Sequence, residues 1–315
     1  MGRRNVAFLF AVCLALLLSV HVAAAQDLGH KLPGLIGLDA ARIPEPGLYL
    51  VNRTVSYRAG QLRDRNGDVI PIPGFSMDAL SNAIGLSYTT KLRQSAISLT
   101  ATAAVPIARL SLNIAPRPEA SFDRFGLADI YIQPLRLGWQ RERFDVVGSY
   151  AIYLPTGLFT LAGGKGVSAG HVTHQFSAGG SIYADENRTA FLTALASYDL
   201  NLRKRGIDIT RGAILQVQGG AGVSRVHRTV ELGLAGYALW QVGDDRGADL
   251  PPVLRGARDR VYGLGPEVAV FVQAIRSQIR VRYEWDLGVR SRPKGQVFSV
   301  GLNFIAHNPP QPTTP

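Results

Sequence analysis

Two histidines three residues apart, His171 and His174, form the first pair in the chain whose spacing could bind a metal ion. Such a site would need both imidazoles on one side of the backbone and a third ligand beside them. Residues three apart on an extended strand point to opposite faces, and no acidic residue stands next to the pair. We therefore predict a junction between a loop and a strand here, and no metal site.

Two further segments have only part of the pattern of a ligand-binding loop. Asp64–Asp68 lacks the ligand spacing and the closing Glu of a calcium loop, whereas its Asn-Gly step is typical of a tight turn. Gly163–Gly166 lacks the spaced first glycine and the following helix of a phosphate-binding loop. The sequence offers no convincing set of Ser, His and acidic residues for a hydrolase either. The sequence therefore predicts neither an enzyme nor a cofactor.

Charged residues that could act on a solute follow one predicted strand, residues 279–290. Arg280, Arg282, Glu284 and Asp286 occupy every second position there, and the positions between them are apolar. Successive side chains of a strand point to opposite faces, and Arg facing lipid at the bilayer midplane costs about 2–4 kcal/mol. We therefore predict that these charges lie inside a barrel, where they either border a passage or pair with one another across a closed interior.

The segment 126–140 predicts further inward residues through an alternation that changes phase at a proline. Pro134 has no N–H to donate to a strand ladder, so we expect a β-bulge there. The bulge would leave Leu135 and Trp139 toward lipid and turn Arg136 inward. The complete predicted set of lumen-lining side chains is Asp129, Tyr131, Gln133, Arg136, Arg280, Arg282, Glu284 and Asp286.

Strands long enough to cross a bilayer must position these side chains, and the chain contains about twelve of them. Many of them alternate with period two, and each has about ten or more residues, the length that a tilted membrane strand needs. The predicted strands are 47–58, 76–89, 94–106, 126–140, 144–154, 172–184, 189–200, 213–225, 229–243, 261–273, 277–289 and 294–305.

The links between these strands alternate in length along the chain. The long links are 59–75, 107–125, 155–171, 201–212, 244–260 and 290–293, and the short links are 90–93, 141–143, 185–188, 226–228 and 274–276. Membrane barrels alternate short turns on one side with long loops on the other, whereas nothing in a soluble β-sandwich requires long and short loops to alternate along the chain. The sequence therefore predicts an all-β fold, an antiparallel transmembrane β-barrel of about twelve strands with short periplasmic turns and long extracellular loops.

The chain begins with the three-part pattern of a secretory signal. Arg3 and Arg4 precede an apolar run, and small residues at Ala23–Ala25 offer a cleavage site. Cys13 is the only cysteine, so disulfides play no part in the mature chain. The predicted order is a signal peptide at 1–25, a periplasmic lead-in at 26–46, the β-barrel at 47–305 and a Pro-rich C-terminal tail at 306–315.

Seven stretches, taken in order, resemble one known family over almost the whole mature chain. They are His30–Gly34, Ile43–Leu50, Gly126–Leu135, Tyr150–Gly157, Tyr262–Val268, Arg282–Trp285 and Arg292–Gln296. They are similar to the SphA-like proteins, the MetA-pathway of phenol degradation family of outer-membrane proteins. The resemblance implies an outer-membrane barrel that helps to take up hydrophobic or aromatic compounds, and it supplies no catalytic residues.

Together these patterns predict an outer-membrane channel for passive uptake of small hydrophobic or aromatic compounds. Inward arginines would favour aromatic acids, a hypothesis placed on Arg280 and Arg282. The alternatives are a structural or adhesive barrel without transport and, less favoured, a barrel-borne hydrolase.

The expected partners are outer-membrane lipid, the solute and the barrel-insertion machinery, which would recognise the alternating pattern of the last strand, ending at Phe304. The formal net charge of +11 forms no basic block, so no nucleic acid is expected.

Overall fold

A computed structural model describes residues 30, 32–92, 96–115, 118, 121–159, 166–225 and 229–307. The predicted signal peptide, the tail beyond residue 307 and residues 163–165 of the glycine-rich segment lie outside these ranges. The strands are β1 (Gly47–Arg63), β2 (Val69–Ile70), β3 (Ser76–Lys91), β4 (Ile97–Asn113), β5 (Phe122–Leu127), β6 (Ile130–Gln140), β7 (Phe144–Leu154), β8 (Thr173–Tyr183), β9 (Ala190–Asn201), β10 (Ile214–Arg225), β11 (Val230–Gln241), β12 (Arg260–Val272), β13 (Ser277–Arg290) and β14 (Pro293–His307). No helix of this described part is long and apolar enough to cross a membrane.

The strands form one antiparallel sheet that closes on itself. Each long strand pairs with the next long strand of the chain, and β14 pairs with β1 in a register that joins Val51 to Asn303 and Ser56 to Phe298. β2 and β5 are short additions to β1 and β4, which leaves twelve strands in the ring. Closure satisfies the backbone groups of both edges, as lipid requires. The predicted twelve-stranded antiparallel barrel is confirmed.

Three details differ from the sequence prediction. β1 and β4 continue to Arg63 and Asn113, because a ladder of backbone hydrogen bonds can continue with polar side chains beyond the apolar belt. The segment predicted as one strand at 126–140 is divided at Ala128 and Asp129, and its first part belongs to β5. The link before β14, predicted as a long one, is only residues 291–292.

The two ends of the barrel differ in their links. One end, here called the terminal end, carries the start of β1, the end of β14 and the short links that join β3 to β4, β6 to β7, β8 to β9, β10 to β11 and β12 to β13. The opposite end, the loop end, carries longer links, including those between β7 and β8 and between β11 and β12. Because consecutive long strands are antiparallel, alternate links must fall at the same end.

The barrel exposes apolar side chains and buries charged ones. On β13, Trp285 and Leu287 are each 49% exposed, whereas Glu284 and Asp286 between them are 0% and 3% exposed. Leu264 on the neighbouring β12 is also 49% exposed. An apolar exterior around a polar interior is the arrangement of a barrel that sits in lipid.

One stretch of the exterior departs from this apolar belt. Asn52 on β1 and Asn82 on β3 stand on the outward face, and each amide donates to the side-chain oxygen of the other at 3.0 and 3.2 Å. Asn82 also donates to the hydroxyl of Thr54 at 2.7 Å. Ile84, two residues along the same face, is 54% exposed. Pairing within the wall lowers the cost of placing these amides against lipid.

The bulge predicted at Pro134 is confirmed. The register between β6 and β7 shifts between Ile132 and Leu135, so the two residues between them oppose a single residue of β7. Beyond the bulge, Leu135 and Trp139 are each 43% exposed. Arg136 points the other way and hydrogen-bonds to the main chain of a segment inside the barrel.

Candidate functional site

The residues just before β1 fill part of the barrel interior. This inner segment, residues 32–46, was predicted as a periplasmic lead-in, but the structure places it within the ring of strands. Leu38, Ala40 and Ala41 are all 0% exposed. Leu38 packs with Tyr183, Phe191 and Ala235, and the two alanines pack with Val147 and Leu195. The apolar residues of this segment do not follow the period-two pattern of a strand. The sequence pattern therefore did not predict that they would be buried.

Two glycines allow the inner segment to approach the wall closely. Gly34 has φ +71°, a conformation that side chains disfavour, and a methyl group there would overlap Glu284 and Tyr237. A methyl group on Gly37 would overlap the carboxylate of Glu267. The segment therefore fits against these buried carboxylates only because it carries no side chain at the two positions.

A network of ion pairs lies where the inner segment meets β11, β12 and β13. Arg280 Nη2 lies 2.8 Å from Asp39 Oδ1 and 3.2 Å from Glu231 Oε2, and its Nη1 lies 2.6 Å from Glu267 Oε1. Arg282 lies 3.1 Å from Glu267 and 2.9 Å from Glu284. Opposite charges at such distances offset the cost of removing each ion from water.

The same network holds the inner segment in place. The main-chain N–H of Leu38 donates to both oxygens of Glu267 at 3.2 and 3.1 Å. Arg282 donates to the carbonyl oxygen of Gly34. Arg42 donates to Glu231 at 2.7 Å. The charged groups of the wall therefore bind both each other and the backbone of the segment.

Asp286 belongs to a separate group nearer the loop end. It accepts hydrogen bonds from the Tyr57 hydroxyl at 2.8 Å, from the main-chain N–H of Gly295 at 2.9 Å and from the Tyr237 hydroxyl. Tyr57 and Tyr237 stand on β1 and β11, on either side of β13 and its neighbours. Asp286 therefore ties distant strands together across the interior.

Asp129 lies in the break between β5 and β6, opposite His30. Nδ1 of His30 is 3.0 Å from an Asp129 oxygen, and the His30 ring stacks on Tyr153 with 5.1 Å between centroids. Ala169 donates its N–H to Asp129 at 2.8 Å. The Asp129 carboxyl is therefore the acceptor at the centre of this cluster.

Arg53 and Arg136 contact the inner segment without an acidic partner. Arg53 donates to the carbonyl oxygen of Leu35. Arg136 donates from one nitrogen, Nη2, to the carbonyl oxygens of Ala40 and Arg42 at 3.1 and 3.2 Å. Among the described residues, no carboxylate forms an ion pair with either guanidinium.

A cavity of about 1090 Å³ lies beside the inner segment. Near the loop end it is lined by Leu112 and Phe122, and further down by Ala83 and Ala104 on β3 and β4. Tyr49 lines it near the terminal end. The side chains on this side of the wall are small, so the segment, which packs against the opposite side, leaves room here. The cavity lining therefore extends along most of the barrel.

The eight predicted lumen-lining residues fall into three groups. Asp129, Tyr131, Gln133 and Arg136 line the cavity. Arg280, Arg282 and Glu284 lie in the ion-pair network, where other side chains neutralise them, and Asp286 belongs to the tyrosine group. The structure thus brings the first four together along β6 and the break before it, and the other four along β13.

Several residues of the site were missed at the sequence level. Glu231, Glu267 and Arg53 are charges within the predicted strands, and the cost of facing lipid would have placed them inside. Asp39 and Arg42 belong to no strand, so no periodic signal marks them. Their role depends on where the inner segment folds, which only tertiary contacts decide.

The minor motifs have local structural roles. Asp64 accepts hydrogen bonds from the main-chain N–H groups of Asn66, Gly67 and Asp68 at 2.8 to 2.9 Å, which confirms the predicted turn. His171 precedes β8, whereas His174 lies within β8 and bonds to the Tyr150 hydroxyl at 2.8 Å. No cluster of three or more His, Cys, Asp or Glu side chains within the described ranges could hold a metal ion.

Comparison with known proteins identifies both a family and a fold. The model of the family described as "Putative MetA-pathway of phenol degradation" matches residues 59–302. An outer membrane channel from Pseudomonas putida F1, solved by crystallography, aligns with a TM-score of 0.72 and 13% sequence identity, over 84% of this chain and 97% of that chain. At this identity the likeness shows a shared fold.

Two autotransporter barrels align with lower scores. The translocator domain of NalP from Neisseria meningitidis has a TM-score of 0.48 and 14% identity, over 84% of this chain and 91% of that chain. The β domain of the Bordetella autotransporter BrkA has a TM-score of 0.47 and 13% identity, over 82% and 99%. No curated protein matches the chain.

Proposed function

We infer the function of this protein from one premise: the chain belongs to the MetA-pathway of phenol degradation family. We propose that it is a channel of the Gram-negative outer membrane through which small hydrophobic or aromatic compounds enter passively. The family description refers to phenol degradation, a process whose starting compounds are aromatic. Passive passage requires a lined path and no chemical step.

The exterior of the barrel supports the membrane location. Large apolar side chains such as Ile84, Leu264 and Trp285 are about half exposed, and water would not favour such a surface. The N-terminal pattern of a secretory signal supports export. We assign the terminal end to the periplasm and the loop end to the outside, following the usual orientation of such barrels.

The cavity beside the inner segment is the observation that carries the proposal. Its lining reaches from Phe122 near the loop end to Tyr49 near the terminal end. A barrel with a purely structural role has no reason to leave its wall lined by small residues such as Ala83 and Ala104 over this length. We propose that solute moves along this wall, past the inner segment.

The chemistry of the lining supports the class of solute. The cavity begins among Leu110, Leu112, Ile114 and Phe122, and it continues between alanines and the rings of Tyr131 and Tyr153. Apolar and aromatic surfaces favour apolar rings, which lose little on leaving water.

Single-channel recording of the refolded protein tests the proposal. We expect a measurable ion current that is interrupted when benzyl alcohol is added on the loop side. Ala104→Trp should lower the conductance severalfold, because Ala104 lines the cavity. Ala103→Trp is the matched control, since Ala103 directly precedes Ala104 on β4, is exposed and faces outward.

The outcome separates a channel from a structural barrel. A current that responds to neither substitution, or no current from correctly folded protein, would contradict passage along this wall. It would favour the structural or adhesive alternative.

A further inference from the structure

Arg53 and Arg136 differ from the other arginines that contact the inner segment or belong to the ion-pair network. Arg42, Arg280 and Arg282 each have a carboxylate within 3.2 Å. Among the described residues, Arg53 and Arg136 donate to main-chain carbonyl oxygens alone, which carry no net charge. Asp39 acts on both groups from beyond ion-pairing distance. A guanidinium held away from water with no carboxylate in contact still attracts an anion, because the surrounding medium screens it poorly.

Both guanidinium groups keep donors that face the cavity. An arginine has five N–H donors, and Arg136 uses a single nitrogen for both of its main-chain partners. Arg53 likewise uses only Nη1. Both residues line the cavity. Their remaining side-chain nitrogens are not among the fully buried polar atoms that lack a hydrogen-bond partner. These nitrogens are therefore accessible to a bound group, and a carboxylate fits their planar geometry.

The wall next to Arg136 changes from polar to apolar along one seam. On β6, Arg136, Gln133 and Tyr131 point inward, in that order toward the loop end. The facing residues of β4 are Thr100, Thr102 and Ala104. The seam therefore runs from an arginine and two hydroxyls to a tyrosine ring and a methyl group.

An aromatic surface completes the apolar end of this seam. The rings of Tyr131 and Tyr153 lie 5.0 Å apart at a tilt of 53°. Gln133 donates to the Tyr131 hydroxyl at 2.9 Å, which fixes the orientation of that ring. A flat ring placed here would contact aromatic faces on one side and small side chains on the other.

We propose that the seam between β4 and β6 binds small aromatic carboxylic acids in their anionic form. The carboxylate meets Arg136, the ring lies near Tyr131 and Ala104, and Arg53, which lines the same cavity, adds positive charge. The site rests on the proposed channel function and names its substrate class. It assigns to Arg136 and Arg53 the recognition that the sequence suggested for Arg280 and Arg282, whose charges are neutralised within the protein.

Equilibrium titration of the refolded, full-length mature protein tests the site. Isothermal calorimetry would compare benzoate with benzyl alcohol, which has the same ring without the charge, and detergent blanks would be subtracted. We expect benzoate to bind at least about tenfold more tightly, since a hydrogen bond to a charged group contributes about 1.5–3 kcal/mol. Equal binding of the two ligands to the wild-type protein overturns the proposal.

Substitutions locate the site. Arg136→Gln should weaken benzoate binding by about tenfold and leave benzyl alcohol binding unchanged, and Arg136→Lys should restore part of the difference. Arg58→Gln is the matched control, because Arg58 lies on the outward face with its side chain 74% exposed. If Arg136→Gln does not refold, benzoate binding by Arg53→Gln and the comparison of benzoate with benzyl alcohol on the wild-type protein still test the proposal. A variant that loses both ligands equally, or neither, overturns the site.

The result can be separated from the test of the channel. If benzyl alcohol interrupts the current but benzoate has no advantage in binding, the channel function stands and the carboxylate site is wrong. If benzoate binds tightly and no current is observed, the site stands and the channel function is wrong.

Discussion

At the scale of single residues, the interior of this barrel is organised by the neutralisation of charge. The cost of placing Arg280 and Arg282 against lipid predicted their inward orientation from the sequence. That cost does not say which partners they meet. In the structure Glu267 binds both arginines, so neither is a simple lining charge. Among the described arginines that contact the inner segment, Arg53 and Arg136 form no ion pair with a carboxylate.

Removing the charge of Glu267 should destabilise the barrel strongly. Glu267→Gln leaves Arg280 and Arg282 with fewer opposite charges, and breaking a buried ion pair typically costs about 3–5 kcal/mol. We expect a loss of that order in the free energy of unfolding, measured by urea titration of the protein refolded in lipid vesicles.

Asp78→Asn provides the control for this prediction. Asp78 pairs with Arg58 at 3.5 Å on the outside, where both side chains are more than half exposed. Exposed pairs contribute less than about 1 kcal/mol. Similar losses for the two variants would show that the network is not the stabilising element that its geometry indicates.

At the scale of strands, the alternation of apolar and polar residues with period two predicts most of the structure, namely which face of each strand meets lipid. The alternation on β13 and β14 predicted both faces, and Pro134 predicted a phase change that the register confirms. The break between β5 and β6 was not predicted, because Ala128 and Asp129 continue the alternation in sequence. Asp129 is held there by His30 and by the N–H of Ala169, partners that are distant in the chain.

The outward pair Asn52 and Asn82 provides a test of wall energetics. Asn82→Leu alone removes both hydrogen bonds between the two amides and leaves Asn52 with only the longer bond to the Ala83 carbonyl oxygen, so we expect a loss of about 1–3 kcal/mol. Replacing both residues by leucine should recover most of that loss, since both amides are then gone. A double-mutant cycle by urea unfolding in vesicles measures the coupling. Additive effects would contradict the paired arrangement.

At the scale of the whole molecule, the barrel and the inner segment act together. A ring of about twelve strands encloses more space than its own side chains fill. The inner segment occupies one side of that space and binds the charged network there. The small residues of β3 and β4 leave the cavity on the other side. The width of the path is therefore set by where the segment packs.

Displacing the inner segment should widen the path. Gly37→Leu places a side chain where Glu267 lies, so we expect the segment to leave its position and the single-channel conductance to rise severalfold. Gly60→Leu is the control, because a Cβ there meets no atom within 4 Å. An unchanged conductance in correctly folded Gly37→Leu protein would contradict the view that the segment narrows the path.

The sequence by itself determined the ring: its twelve strands, the faces of each strand and the bulge at Pro134. These features follow from local rules, because each side chain of a membrane strand meets either lipid or the interior. Only the tertiary structure decided the position of residues 32–46, the partners of Arg280 and Arg282, and the course of the cavity. These depend on contacts between groups up to 248 residues apart, such as Arg282 and Gly34, and no period in the chain encodes such a meeting.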